Sequence, residues 1–103
     1  MQSQPLIQAL TQITSDFRRG DLDAAYQGYR DLFSSPIFTG ASADDRHDAL
    51  HQLVHTQGAP EQPTRAMRIA HDAAITPLHD LIAERDAPRD RELLRRCKQL
   101  LSR

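Results

Sequence analysis

Residues 17–36 read FRRGDLDAAYQGYRDLFSSP and contain one helix together with its start and stop signals. Gly20 interrupts the helical pattern before it. Asp21 can cap the new helix, because its carboxylate accepts a hydrogen bond from a free backbone N–H in the first turn. The residue before a proline disfavours the helical conformation, so Pro36 marks an end. These signals predict a helix from Asp21 to about Ser34.

The same signals predict helices on both sides of this stretch. A first helix covers 4–18, where the apolar residues recur at helical spacing. Residues 36–41 are predicted to be a linker. Ser42 can then cap a third helix that runs to about Gln57 and stops at Gly58.

Prolines punctuate the second half of the chain. Pro60 or Pro63 can stand in the first turn of a fourth helix, and Pro88 in the first turn of the last one. Pro77 either kinks one long helix or, with Thr76 as its cap, starts a new short helix. We favour the break, because Thr-Pro is a good start signal. Strand signals are nearly absent, so the chain is predicted to be all-α.

The two halves of the chain match each other at a shift of 40 or 41 residues. The matched pairs are Ala9 with Ala49, Leu10 with Leu50, Ile13 with Leu53, Ala25 with Ala66, Tyr29 with Ala70, Leu32 with Ala73 and Pro36 with Pro77. Each unit is predicted to be a helical hairpin, and stacked hairpins share a core that one hairpin lacks. The expected organisation is a single domain, 1–103, with hairpins over about 4–35 and 42–76 and a third unit or cap over 77–103.

The stretch 17–36 resembles the second half of a tetratricopeptide repeat. Gly20 stands at the turn within the repeat, Ala25 at its small packing position, Tyr29 at its aromatic position and Pro36 at its closing proline. The period of 40–41 differs from that family's 34 residues, and the first helix lacks the family's Trp and Leu-Gly pair. The resemblance implies antiparallel helical hairpins in a short tetratricopeptide-like array with a C-terminal capping helix. It implies partner binding and no chemistry.

In the family that the chain resembles, the first helix of each hairpin lines the concave face. The residues placed there would be Gln4, Gln8, Thr11, Ser15, Asp44, Asp48, His51 and His55. Such a groove would be polar and mildly acidic, and suited to a basic or hydrogen-bonding peptide of another protein. We therefore expect a non-enzymatic interaction module, an adaptor or small chaperone, without a cofactor.

The stretch 44–55, DDRHDALHQLVH, carries three histidines at four-residue steps. His47 and His55 are about 12 Å apart along a helix axis, so the three cannot share one ion. A tetrahedral metal site needs three or four ligands. The pattern therefore favours a solvated or groove-lining face, and no metal is expected. A histidine-dependent metal-binding or hydrolytic helical domain is the alternative hypothesis.

Composition limits the remaining possibilities. The net charge of −1 argues against nucleic acid as a partner, although residues 88–103 hold six basic and two acidic side chains. The absence of a long apolar run argues against a membrane span. With one cysteine and an N-terminus unlike a signal peptide, the expected location is cytoplasmic. Cys97 lies on an apolar stripe and is predicted to be a buried packing thiol. Ile37 and Phe38 are predicted to be exposed, and a homo-oligomer is possible.

Overall fold

A computed structural model describes residues 4–56 and 59–103 of the chain. The helices in these ranges are α1 Gln4–Arg18, α2 Leu22–Phe33, α3 Pro36–Thr39, α4 Ala43–Val54, α5 Arg65–Arg85 and α6 Pro88–Leu101. The described residues contain no strand. The all-α prediction is therefore confirmed.

The junction between α1 and α2 forms as the sequence predicts. Gly20 has a φ of 82°, a left-handed conformation that costs glycine little. Its N–H donates to the Phe17 carbonyl, and the N–H of Asp21 donates to the Asp16 carbonyl. This pair of bonds is the Schellman motif, which satisfies carbonyls left free at the end of a helix. The Asp21 carboxylate then accepts from the Ala24 N–H at 3.2 Å and caps α2.

The predicted linker is not a simple loop. Pro36–Thr39 forms the short helix α3, with Pro36 in its first turn. Ile37 is 42% exposed, as predicted, but Phe38 is only 2% exposed. Its ring lies edge-on to that of Phe33, with the ring centroids 5.1 Å apart. The prediction of an exposed Phe38 is therefore wrong, because α3 turns this ring into the core.

Two helix boundaries in the second half differ from the prediction. Ser42 caps α4 as expected, but α4 ends at Val54. The predicted end at Gln57 and the stop at Gly58 lie outside the described residues. Helix α5 begins at Arg65, and its cap is the Thr64 hydroxyl, which accepts from the Met67 N–H at 3.2 Å. Pro60 and Pro63 therefore precede the helix and do not occupy its first turn.

The predicted break at Thr76–Pro77 is wrong, because α5 is one helix through Pro77. Leu78 and Leu81, beyond the proline, are fully buried like Ala70 and Ala74 before it. Burying a leucine contributes about 1.5–3 kcal/mol, so the two leucines offset the cost of a proline inside a helix, about 3 kcal/mol. The boundary drawn between 76 and 77 thus falls inside one helix.

Pro77→Ala is expected to stabilise the protein by about 2 kcal/mol. Alanine is about 3 kcal/mol more favourable than proline inside a helix. Proline also restricts the unfolded chain, and losing that restriction lowers the free energy of unfolding by about 0.4–1 kcal/mol. Urea denaturation followed by circular dichroism measures the difference. Pro88→Ala is the control, because proline suits the first turn of α6; we expect that change to destabilise slightly. If Pro77→Ala also destabilises, contacts of the Pro77 ring contribute more to stability than the proline costs inside the helix.

Helices α2 and α5 form the centre of the molecule. Helix α1 packs on α2, α6 packs on α5, and α4 packs on both α5 and α6. Tyr26 of α2 faces His71 of α5, with the ring centroids 6.4 Å apart. The molecule measures 35 × 32 × 19 Å, and the shortest dimension corresponds to two layers of helices, each about 10 Å across. No helix among the described residues combines the length and the apolar character that crossing a membrane requires.

Candidate functional site

A polar groove, here called the α1–α4 groove, runs between α1 and α4. It consists of two adjoining cavities of about 600 and 580 Å³. Both cavities are lined by Thr14, Arg18, Asp48 and Gln52, so they form one continuous depression. The two helices that border it approach each other through polar side chains at its floor.

The floor of the groove is held by Gln52. Its side-chain amide donates to the hydroxyl oxygen of Tyr29 at 3.0 Å and to Oγ1 of Thr14 at 3.4 Å. Tyr29 is 1% exposed, and its burial raises the pKa of the phenol although the Gln52 hydrogen bond acts in the opposite direction. Gln52 thus joins α4 to α1 and α2, and the floor has a fixed arrangement of hydrogen bonds.

Histidine side chains form one edge of the groove. The rings of His51 and His55 lie 4.3 Å apart between centroids, and both residues are exposed. Partial burial lowers the pKa of His55, and electrostatic interactions with His51 and Arg96 lower it further. The lowered pKa favours the neutral imidazole of His55, which can donate or accept a hydrogen bond at this edge.

The structure brings five of the eight predicted residues to the groove. These are Thr11, Ser15, Asp48, His51 and His55. Gln4 and Gln8 are exposed on α1 but do not line either cavity. Asp44 lies elsewhere, because its carboxylate accepts a hydrogen bond from Arg85 at 2.6 Å and another from Arg89. These two arginines hold the pKa of Asp44 below its ordinary value.

The groove is not acidic, which corrects the prediction. Among the described residues, its lining contains one carboxylate, that of Asp48, and one guanidinium, that of Arg18, so the two charges balance. Sequence reasoning missed Arg18, although it follows Thr11 by seven residues and Thr14 by four. That spacing places all three on one face of a helix, so the signal was present in the sequence.

A buried ionic cluster lies behind the histidine edge. Asp90 is fully buried. Its carboxylate accepts from Nε and Nη2 of Arg85 at 2.8 and 3.1 Å, and Nδ1 of His47 lies 2.7 Å from its Oδ1. Burial alone would raise the pKa of Asp90, but the hydrogen bonds from Arg85 and His47 outweigh it and keep the pKa below 3.8. Asp90 thus ties α4, α5 and α6 together.

The buried ionic cluster also determines which of the three histidines of α4 face the groove. His47 is 7% exposed and points at Asp90, so it leaves the stripe that the sequence suggested. Within residues 4–56 and 59–103, no group of three or more His, Cys, Asp or Glu side chains has an arrangement that could hold a metal ion. The pair that shares the groove is His51 and His55.

His71 and Cys97 occupy the interface between α5 and α6. Nδ1 of His71 lies 2.8 Å from the Met67 carbonyl, and the Cys97 thiol donates to the His71 carbonyl at 3.2 Å. Burial raises the pKa of Cys97 to about 12, so the thiol is protonated and unreactive at neutral pH. The prediction of a buried packing thiol is confirmed.

The buried His71 is expected to make the protein acid-labile. Its burial lowers its pKa below the ordinary value of 6.5. Below pH 6.5 the unfolded chain therefore binds a proton that the folded chain rejects, and stability falls as pH falls toward the folded pKa. Urea denaturation between pH 7.5 and 5 measures this loss. His71→Phe should make the free energy of unfolding depend less on pH, whereas the exposed change His79→Phe should leave this dependence as it is in the wild type. The same pH dependence in the wild type and both variants would contradict the role of His71.

Comparison of the chain with models of protein families, with curated proteins and with solved structures finds no match in any of the three. The resemblance to tetratricopeptide repeats therefore stays a prediction.

Proposed function

We propose that the protein is a non-enzymatic interaction module, an adaptor or small chaperone, whose α1–α4 groove binds an extended segment of another protein. The observation that carries this proposal is the groove itself, with its floor fixed by Gln52 and polar side chains along both walls. Its α1 wall runs from Ile7 to Arg18, which is about 16 Å along a helix. An extended peptide rises about 3.3 Å per residue, so the groove accommodates about five residues.

The arrangement of helices supports a hairpin array as the scaffold for this groove. Neighbouring helices pack in the pairs α1–α2, α4–α5 and α5–α6, and α2 contacts α5 between the first two pairs. A short tetratricopeptide-like array with α6 as its cap would have these contacts. In that family the first helices of the hairpins form the binding face, which here corresponds to α1 and α4.

The side chains along the walls indicate the kind of segment that would bind. Arg18 and Asp48 make no ion pair with any residue in the described part of the chain. Each can pair with a ligand group of opposite charge, while Ser15, His51 and His55 can hydrogen-bond a peptide backbone. We therefore propose a polar segment, and a basic residue in it would pair with Asp48.

A triple variant, Asp48→Ala, His51→Ala, His55→Ala, is expected to keep the fold and lose binding. Exposed substitutions usually change stability by less than about 0.5 kcal/mol each. His55 is the C-cap of α4, but it acts there through its backbone N–H, which alanine keeps. Peptides selected on the wild-type protein from a display library of random seven-residue sequences provide the probe. We expect the triple variant to bind them at least about tenfold more weakly, a loss of about 1.4 kcal/mol. Fluorescence anisotropy measures the affinity, and circular dichroism checks the fold.

A matched variant on another surface controls for nonspecific effects. Asp72→Ala, His79→Ala, Gln62→Ala removes one carboxylate, one imidazole and one amide from exposed positions outside the groove. Its affinity for the selected peptides should equal that of the wild type. If the groove variant binds as well as the control, the binding surface lies elsewhere. A large loss of stability in the groove variant would mean that these side chains support the core.

A further inference from the structure

A second cavity, the Pro77 pocket, lies between α2, α3 and α5. Its volume is about 370 Å³, and its walls include Phe33, Phe38, Ala73, Thr76, Pro77 and Asp80. Pockets for small molecules generally have volumes of about 300–1,000 Å³ and mostly apolar walls with a few polar groups. This pocket has that size and composition, and it shares no lining residue with the α1–α4 groove.

The α5 wall of the pocket presents hydrogen-bond acceptors. Pro77 has no N–H, so the Ala73 carbonyl lacks the donor that an ordinary helix residue would supply. Thr76 and Asp80 stand one turn apart on the same face of α5. Both are exposed, and within the described residues the Asp80 carboxylate makes no ion pair. The α5 wall therefore favours a ligand that donates hydrogen bonds.

The two arginines at the pocket already have partners. Arg30 donates to the Asp31 carboxylate at 3.1 Å. Arg46 donates to the Glu84 carboxylate at 2.6 Å and to a backbone carbonyl at 3.0 Å. Their positive charges are balanced by these carboxylates, so the charge left without compensation at the pocket is the negative charge of Asp80.

The floor of the pocket is aromatic. The rings of Phe33 and Phe38 meet edge to face with centroids 5.1 Å apart, and each residue is at most 5% exposed. The two ring planes make an angle of 60°, so together they form an angled apolar surface whose shape is held by packing. Aromatic faces also attract cations within about 6 Å of the ring centre.

We propose that the Pro77 pocket binds a small organic amine, a primary ammonium group on an aromatic or short alkyl body. The ammonium group donates to the Asp80 carboxylate and to the Ala73 carbonyl. The body packs on Phe33, Phe38 and the Pro77 ring. Three properties of the pocket support this ligand class: a carbonyl whose usual helical donor the proline removes, an uncompensated carboxylate and an aromatic floor.

Three probes of similar size and different charge test the proposal. Benzylammonium, benzyl alcohol and benzoate are titrated into ¹⁵N-labelled protein at pH 7, and the amide signals of α3 and α5 are followed by NMR. For ligands of eight or nine heavy atoms we expect a Kd on the order of 1 mM for benzylammonium. The alcohol should bind about fivefold more weakly, since it lacks the charge-assisted hydrogen bond. Benzoate should bind most weakly.

Variants connect the selectivity to named groups. Asp80→Asn should remove most of the preference for benzylammonium over the alcohol. Pro77→Ala restores a backbone N–H that donates to the Ala73 carbonyl. The affinity for benzylammonium should then fall by about threefold, as expected for the loss of one modest hydrogen bond. Asp72→Asn removes an exposed carboxylate of α5 that does not line the pocket, and should leave all three affinities unchanged.

Several results would overturn the proposal. Benzoate binding as tightly as benzylammonium would show that the arginines, and not Asp80, set the charge preference. Equal affinities for all three probes, or no shifts in α3 and α5 at 20 mM of any probe (roughly twenty times the expected Kd), would exclude an amine site. Lysine acetylated at its α-amine and amidated at its carboxyl group is the fourth probe. If it binds more tightly than benzylammonium, the pocket takes a side chain of a protein partner and not a small molecule.

Discussion

A chain that ends at Ala87, and so lacks α6, is expected to be unfolded or aggregated at 25 °C. Helix α6 buries Leu93, Leu94 and Leu100, each at most 9% exposed, together with the fully buried Cys97. Each leucine contributes about 1.5–3 kcal/mol when buried, and the three together approach the net stability of a whole domain, about 5–15 kcal/mol. Removing α6 also uncovers the face of α5 on which it packs.

Circular dichroism and calorimetry of the shortened chain measure this effect. A chain that ends at Leu101 is the control, because it keeps all of α6. It loses the hydrogen bond between Arg68 and the Arg103 carbonyl but keeps the one to the Leu101 carbonyl. We expect a cost of no more than about 1 kcal/mol for the control. A cooperative melt of the 1–87 chain near the temperature of the full chain would show that α6 is dispensable.

Asp90→Ala is expected to lower the free energy of unfolding by about 3 kcal/mol. Breaking a buried ion pair from one side costs about 3–5 kcal/mol because the remaining charge is left without its partner, and the low end applies here since Arg85 keeps Asp44. His47 would also lose its buried partner. Urea denaturation at pH 7 measures the change. Asp90→Asn keeps the shape of the side chain and should cost less.

The variant Asp44→Ala measures how much the exposed ion pair of Arg85 contributes to stability, for comparison with the buried ion pair to Asp90. Asp44 binds the same Arg85 and is exposed, and exposed ion pairs contribute about 0–1 kcal/mol. We therefore expect Asp44→Ala to be nearly neutral. If Asp44→Ala lowers the free energy of unfolding as much as Asp90→Ala does, the exposed ion pair between Arg85 and Asp44 contributes as much to stability as the buried one. If Asp90→Ala costs less than about 1 kcal/mol, water or a rearranged Arg85 replaces the carboxylate.

Local signals predicted the first half of the fold well. The turn at Gly20, the cap at Asp21 and the end before Pro36 depend on neighbouring residues, so a short stretch of sequence contains what decides them. At Pro77 the local signals led to a wrong prediction. The Thr-Pro pair is a good local start signal, but the apolar positions 70, 74, 78 and 81 continue at helical spacing across it. Burial of that continuous stripe outweighs the local preference.

The candidate site was predictable in part for the same reason. The faces of α1 and α4 follow from helical periodicity, which found His51, His55 and Asp48 and could have found Arg18. The pairing of His47 with Asp90 joins residues 43 positions apart. Local sequence signals identify Asp90 only as an acidic residue in the first turn of a helix. No local pattern indicates a partner so distant. Contacts of this kind depend on how helices pack, which a single sequence does not contain.

The central position of α2 against α5 has a consequence during synthesis. Helix α2 emerges from the ribosome early, but the helix that covers it ends at Arg85, about fifty residues later. At about 5–20 residues per second, the chain needs roughly 3–10 s to supply that cover. In this interval the apolar side of α2, with Ala25 and Tyr26, has only α1 and α3 beside it. The nascent chain is therefore open to premature association at α2, and each delay in translating α4 or α5 prolongs that exposure.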